Sequence, residues 1–280
     1  MRIHVLGARG STPAPGAEFA RYGGHTSCVA IAHQGVPPAL VLDAGTGIRQ
    51  LSALLERRPF HGSILLGHLH WDHTQGIPFF SAGDTPDATV SIYAPAQEDG
   101  AGTETALARS MSPPNFPITP QGLRGSWKFG ALEPGRHRIE EFEVLALEIP
   151  HKGGRTFGYR VSDGHSTLAY LSDHWPTSLG PGPDGLGDYH LAALELARGA
   201  DLLFHDAQYT DEELPTRAFF GHSCPGYALE LAAQAGARRV VLYHHDPWRT
   251  DDEIDALAAR YGRSVPPVEA AREGAVFELA

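Results

Sequence analysis

Three imidazoles and one carboxylate fall within six residues at His68-Leu69-His70-Trp71-Asp72-His73, in the order H-x-H-x-D-H. Neutral imidazole and carboxylate are the ligand types that suit Zn²⁺, Mn²⁺ or Fe. The run follows Ser63-Ile64-Leu65-Leu66-Gly67, a short apolar segment that reads as a buried strand. Gly76 and Pro78 come soon after and suit a loop that opens into a helix. Such a loop can fold back at the strand end so that alternate side chains converge on one point. A histidine-rich surface loop is the plain alternative, and four ligand-type residues in this order make it the poorer reading.

A second set of ligand-type residues recurs at the ends of apolar segments. His151 follows the segment closing at Ile149-Pro150, and Asp173 follows Leu168-Ala169-Tyr170-Leu171-Ser172. His205 and Asp206 follow Leu202-Leu203-Phe204, and His244, His245 and Asp246 follow Val240-Val241-Leu242-Tyr243. His222 stands in Gly221-His222-Ser223, just before a helical pattern. Taken singly, each is more often structural than chemical. Strands that end on one edge of a sheet deliver such side chains to one cleft, and together with the first run they predict a metal site.

The elements that must position these residues are mostly short strands. Ile3 to Leu6, Val29 to Ala32, Ala39 to Leu42, the segment ending at Gly67 and Val90 to Tyr93 read as strands in the first half. Ile48 to Arg57 reads as a helix with Ile48, Leu51, Leu54 and Leu55 on one face. From residue 98 to 137 the chain reads as irregular, with Pro113, Pro114, Pro117 and Pro120. Its Phe116, Trp127, Phe129 and Met111 suggest a loop packed over a pocket, and a surface excursion is the equal alternative. Strands follow at Glu143 to Ile149, Thr156 to Val161, Thr167 to Leu171, Leu202 to Phe204, Val240 to Tyr243 and Ala275 to Leu279. Helices are expected near Tyr189 to Arg198, Pro225 to Ala235 and Asp252 to Tyr261. The pattern is one α/β domain over residues 1–280, two packed mixed sheets with helices outside.

Composition narrows the function classes. At 280 residues the chain can bury a sizeable core, and its net charge of −11 argues against broad electrostatic binding of extended nucleic acid. Cys28 and Cys224 are its two cysteines and have no metal-type spacing, which fits a reducing cytoplasm. The start, Met1 to Gly7, reads as a strand and not as a signal peptide, and no apolar run approaches a membrane span. A cytoplasmic protein is therefore expected, with a homodimer as the default assembly.

The chain resembles the metallo-β-lactamase-fold hydrolases, and within them the phosphodiesterase branch of tRNA 3′-processing endonucleases and cyclic-phosphodiester hydrolases. The resemblance covers nearly the whole chain. It rests on Gly10-Ser11-Thr12-Pro13, Arg21-Tyr22-Gly23-Gly24, Asp43-Ala44-Gly45-Thr46-Gly47, the H-x-H-x-D-H run with Gly76, and Glu148-Ile149-Pro150-His151. It continues through Gly158-Tyr159-Arg160, Leu171-Ser172-Asp173, His205-Asp206-Ala207-Gln208-Tyr209, Gly221-His222-Ser223 and Leu242-Tyr243-His244. It implies an αββα sandwich and two divalent ions, Zn or Mn and alternatively Fe. His68, His70 and His151 would hold one ion, Asp72, His73 and His244 the other, and Asp173 would bridge them. The family's last ligand directly follows its strand, which selects His244 over His245. Asp206 would orient His222, although a glutamate often stands at this place in the family, and Ser172 replaces the usual glycine before the bridging aspartate.

The mechanism implied is in-line attack on phosphorus by a hydroxide shared between the two metals. Asp72 would orient that hydroxide, and His222 would contact the phosphate or protonate the leaving oxygen. Asp43 would support the histidine loop, Lys152 would be a solvated lysine or, less plainly, meet phosphate, and Arg21 would either contact substrate or pack its own loop. The tRNA-processing members carry a long Gly/Pro-rich arm, and only a two-strand hairpin fits between His151 and Asp173 here. A small phosphodiester, a cyclic nucleotide foremost, is thus the expected substrate. An RNA 3′-end nuclease without the arm is the runner-up, and a metal-stabilised nucleotide sensor is the non-enzyme alternative.

Overall fold

The computed structural model describes residues 1–280. Fourteen strands form two seven-stranded sheets. The first contains β1 (Arg2–Gly7), β2 (Cys28–Ala32), β3 (Leu40–Leu42), β4 (His61–Leu65), β5 (Thr89–Pro95) and β6 (Ser126–Leu132). The second contains β7 (Gly135–Ile139), β8 (Phe142–Ile149), β9 (Thr156–Ser162), β10 (Thr167–Leu171), β11 (Leu202–Asp206), β12 (Val240–Tyr243) and β13 (Val268–Ala270). The last strand, β14 (Val276–Glu278), returns to the first sheet beside β1. The helices are α1 (Ile48–Leu54), α2 (Trp71–Thr74), α3 (Thr103–Ala108), α4 (Leu191–Ala197), α5 (Leu214–Arg217), α6 (Pro225–Ala235) and α7 (Asp251–Tyr261).

The sheet orders are β14-β1-β2-β3-β4-β5-β6 and β13-β12-β11-β10-β9-β8-β7. Both sheets are mixed. β3 to β6 run parallel, as do β10 to β13, and the remaining neighbours are antiparallel. Central strands such as Cys-Val-Ala-Ile-Ala at β2 and Val-Val-Leu-Tyr at β12 are buried along their whole length, because sheet covers one face and helix the other. Between the sheets lie Val5, Ile31, Leu42, Leu65, Val144, Tyr159, Leu168, Phe204 and Tyr243. Outside, Ile48 and Leu51 of α1 and Leu107 of α3 cover the first sheet. Leu196 of α4, Leu231 of α6 and Leu257 of α7 cover the second. This is the αββα sandwich expected from the sequence.

Two local expectations need correction, and two short elements were not expected. The stretch 98–137 is not irregular throughout, since it holds α3, β6 and β7. Four prolines hide these elements. β6 and β7 are also edge strands, and the Gly-Arg-His-Arg-Ile of β7 has one apolar side chain, so neither carries the full burial signal. The first helix ends at Leu54 and not Arg57, because Glu56 and Arg57 take φ of 53° and 61°, a left-handed pair that no helix continues through. The three-residue β13 and the four-residue α5 are too short to show a period.

Both sheets end their parallel strands on the same edge of the sandwich. Asp43 follows β3 and the histidine run follows β4. Asp173 follows β10, Asp206 closes β11 and His244 follows β12. The antiparallel β8 brings His151 to that edge as well. Carboxyl ends of parallel strands are where open α/β sheets gather ligand-binding residues.

Candidate metal centre

The seven residues expected to hold metal converge at this edge. His68, His70 and His151 offer ligand atoms within 4.8 Å of one another, and so do Asp72, His73 and His244. Asp173 joins His68 and His73 in one such group and His244 in another, so it stands between the two triads. Its Oδ2 lies 3.1 Å from His73 Nε2, and its Oδ1 lies 3.4 Å from His244 Nε2 and 3.6 Å from His151 Nε2. Asp72 Oδ2 is 3.2 Å from His73 Nε2 and 3.1 Å from His244 Nε2.

Hydrogen bonds behind the cluster fix which ring nitrogen faces inward. The Nδ1–H of His73 donates to Asp43 Oδ2 at 2.8 Å, which leaves the Nε2 lone pair toward Asp72 and Asp173. Asp43 is itself held by Tyr170 Oη at 2.7 Å, Ser172 Oγ at 3.3 Å and the Gly67 N–H at 2.7 Å. The Nδ1–H of His151 donates to the Gly221 carbonyl at 2.7 Å. Gly221 has φ of 95°, and a Cβ there would stand 2.9 Å from Lys152 Cβ, so glycine is required at this contact. The Ser11 N–H donates to Asp72 Oδ2 at 2.7 Å. His245 turns the other way and donates from Nε2 to the Ala271 carbonyl at 2.8 Å, so it is His244 that reaches the cluster.

The donor set fits cations. Both nitrogens of His68, Nε2 of His73 and Oδ2 of Asp173 are buried without a hydrogen-bond partner. Lone pairs and carboxylate oxygens turned toward one another in a closed space repel unless positive charge lies among them. Burial pushes His68 well below the ordinary imidazole range and His151 down to about 4, so both stay neutral and free to ligate. Burial also opposes charge on His73 and His244. On His73, Asp173, Asp72 and Asp43 outweigh it and raise the pKa well above the usual value. On His244, Asp173 leads the same reversal and pushes it up to about 9. These carboxylates therefore call for cations here, and metal would displace protons from His73 and His244.

Beside the cluster, His222 Nδ1–H donates to Asp206 Oδ2 at 2.9 Å. Asp206 also accepts the His174 N–H at 3.1 Å and the Gln208 N–H at 3.0 Å, so it is fully buried and fully used. The shorter aspartate thus reaches His222 although a glutamate is common in its place. An open cleft of about 370 Å³ is lined by Ser11, His70, Trp71, Asp72, Asp173 and His222. It adjoins a larger pocket of about 720 Å³ that runs from His68 and His70 to α3. Phe116 and Met111 line that pocket with Phe79, as the sequence suggested for the first two. Trp127 and Phe129 do not, since both pack on β6 against the core under α1 and α3.

The structure also places Lys152 and Arg21. Lys152 is exposed, as expected, and its Nζ donates to the Phe219 carbonyl at 2.9 Å. Arg21 packs its loop onto α7 through Asp252 at 2.6 Å and Asp255 at 2.7 Å. The Ser11 N–H and the Gly221 carbonyl were not read from sequence, because backbone groups carry no residue-type signal. The Gly221-His222-Ser223 motif was the one available hint for the second.

Comparison with known proteins places these observations. The profile described as the beta-lactamase superfamily domain matches residues 39–245. Ribonuclease Z from Geobacillus kaustophilus is 27% identical over 274 residues, covering 81% of this chain and 83% of its own. Among solved structures, the metallo-beta-lactamase fold protein YhfI from Bacillus subtilis superimposes with a TM-score of 0.71 at 19% identity, covering 99% of both chains. A diphosphatase of the PhnP family superimposes with a TM-score of 0.66 at 18% identity, covering 100% of this chain and 98% of its own.

Proposed function

The chain belongs to the beta-lactamase superfamily, a family of metal-dependent hydrolases, and from that premise we propose that it is a dinuclear phosphodiesterase acting on a small phosphodiester, a cyclic nucleotide foremost. The observation that carries the reading is the His222–Asp206 pair, which sets a protonatable imidazole on the cleft beside Asp72 and Asp173. His68, His70 and His151 would hold one ion and Asp72, His73 and His244 the second, with Asp173 reaching both. Bound Zn²⁺ or Mn²⁺ supplies a water of lowered pKa and neutralises phosphate charge.

The chain's own residues do the rest. Asp72, fixed by the Ser11 N–H, orients the attacking water through its carboxylate. His222 carries a proton to the leaving oxygen or donates to a phosphate oxygen, and Asp206 holds the ring through its Nδ1–H. Trp71 and Phe79 line the larger pocket beside the cleft.

A ribonuclease and a diphosphatase among the similar proteins support phosphoryl chemistry. Three features favour a small substrate. Only the β9–β10 hairpin stands between His151 and Asp173, where an RNA-gripping arm would lie. The net charge is −11. The 720 Å³ pocket is of a size for a small molecule. The likeness to ribonuclease Z supports an RNA 3′-end nuclease about as well.

Metal-stripped protein reloaded with Mn²⁺ or Zn²⁺ decides between them. The panel is bis(p-nitrophenyl) phosphate, 2′,3′- and 3′,5′-cyclic AMP and a pre-tRNA, with Asp173→Ala as control. Hydrolysis of the small diesters that is lost in the variant is the expected result. Cleavage of pre-tRNA alone selects the nuclease, and bound metal with no turnover selects a sensor.

A further inference from the structure

Five aromatic side chains of this chain are exposed: Trp71 (74%), Phe79 (57%), Phe219 (55%), Phe220 (52%) and Trp248 (83%). All five stand on the short helical turns and loops that follow strands at the metal-site edge of the sandwich. Trp71 and Phe79 line the 720 Å³ pocket. Phe219 and Phe220 immediately precede Gly221 and His222, and Trp248 follows the turn after His244. Exposed apolar surface concentrated at one place marks a binding surface.

The aromatics form two separate platforms. The loop from His151 to Arg155 divides them. Gly153, Gly154 and Arg155 line the pocket that contains Phe79 and Phe116, whose rings meet edge-to-face at 5.9 Å. Lys152, on the same loop, turns to the other side and lies 5.8 Å over the Phe219 ring. There the Phe219 and Phe220 rings lie 4.2 Å apart at a tilt of 33°, and Phe220 continues through Tyr209 to His222 at centroid spacings of 6.4 and 6.0 Å. The scissile position between Asp72, Asp173 and His222 thus has an aromatic pocket on one side and an aromatic shelf with a cation on the other.

A cyclic mononucleotide has one base and fills one platform. We propose that the Phe219–Phe220 shelf takes a second base, so that the same centre hydrolyses linear dinucleotides. The proposal rests on the diesterase reading of the site. The oxygen of water bonds to phosphorus, and the bond from phosphorus to one ribose oxygen breaks. A proton ends on that oxygen, giving a nucleoside and a nucleoside monophosphate. Stacking on aromatic side chains tolerates any base, and Lys152 suits the phosphate or ribose next to it. The chain's net charge of −11 favours a short substrate over an extended nucleic acid.

The test compares wild type with Phe219→Ala/Phe220→Ala, both Mn²⁺-loaded, on the linear dinucleotide ApA and on cyclic AMP. The expected result is ApA hydrolysis with a kcat/KM ratio, ApA over cyclic AMP, that falls about 5- to 150-fold in the variant, the range for one lost stacking contact. A binding readout runs beside it, using the ApA phosphinate in which both bridging oxygens are CH₂, and its Kd should weaken by a similar factor. An unchanged ratio with an unchanged Kd overturns the proposal. So does sedimentation showing that the substitutions abolish a dimer while phosphinate binding stays intact, since the shelf would then be a contact between copies. If no diester is turned over with any metal, the diesterase reading fails, and the phosphinate Kd alone decides the shelf.

Discussion

Asp43 Oδ2 stands 2.8 Å from His73 Nδ1, and this contact sets the direction of a fully buried ring in the cluster. The Asp43 backbone has φ of 61°, so the turn after β3 is bent to bring the carboxylate under the histidine loop. Outer partners of this kind fix both the tautomer and the basicity of a ligating imidazole.

Asp43→Ala should therefore weaken metal affinity by about 10- to 100-fold, read by competition with a chelating indicator. It should also lower the melting temperature of metal-free protein, because Tyr170 Oη and the Gly67 N–H lose a buried acceptor at about 1–3 kcal/mol each. An unchanged affinity would remove Asp43 from the account of the site.

His244→Ala and His245→Ala should separate cleanly. The two rings are adjacent in sequence and buried alike, yet Nε2 of one faces Asp72 and that of the other faces the Ala271 carbonyl. The first substitution should lose about one metal equivalent and most activity. The second should keep its metal and lower stability by about 1–3 kcal/mol. Metal analysis by mass spectrometry with thermal melts distinguishes them, and the reverse pattern would assign the ligand to His245.

Asp206→Ala should lower kcat by about 10²-fold or more with metal content kept, since the carboxylate touches His222 and two backbone N–H groups. Metal loss in step with activity would make Asp206 a support of Asp173 and not of His222.

Glu273 predicts a pH effect away from the cluster. It accepts from the His25 N–H and from Gln50 Nε2 at 3.1 Å, and burial pushes its pKa from 4.5 up to about 7, against the opposing His25 hydrogen bond and Arg9 charge. A carboxyl raised in the folded state binds its proton more tightly there. Its favourable contribution is full below about pH 4.5 and is lost as pH rises through about 7. Glu273→Gln should thus raise the melting temperature at pH 8 by a few degrees and change it little at pH 4.5. Equal shifts at both values would show that the carboxyl titrates normally.

Much of this architecture is legible in the chain. Burial on both faces makes central strands such as β2 and β12 continuous apolar runs, and a carboxyl-end loop must hold whatever follows them. That is why Asp173, Asp206 and His244 could be picked out although 33 residues separate the first two. Segments whose burial is partial gave no such signal. β7 is an edge strand, β6 lies behind prolines, and the residues 98–137 were legible as a pocket wall only through Phe116 and Met111.

By itself the sequence determined the ligand types, their strand-end positions and the sandwich that carries them, because hydrophobic period and residue chemistry are local properties. Tertiary structure alone decided the directions of the side chains. His244 and His245 differ only in the bond each ring makes across the fold, to a carboxylate of the β4 loop or to a carbonyl after β13. Lys152 is tethered because Phe219, 67 residues away, offers a carbonyl. Asp206 meets His222 because β11 and the turn before α6 end side by side. Such choices depend on partners far along the chain, and only packing brings those partners within hydrogen-bond reach.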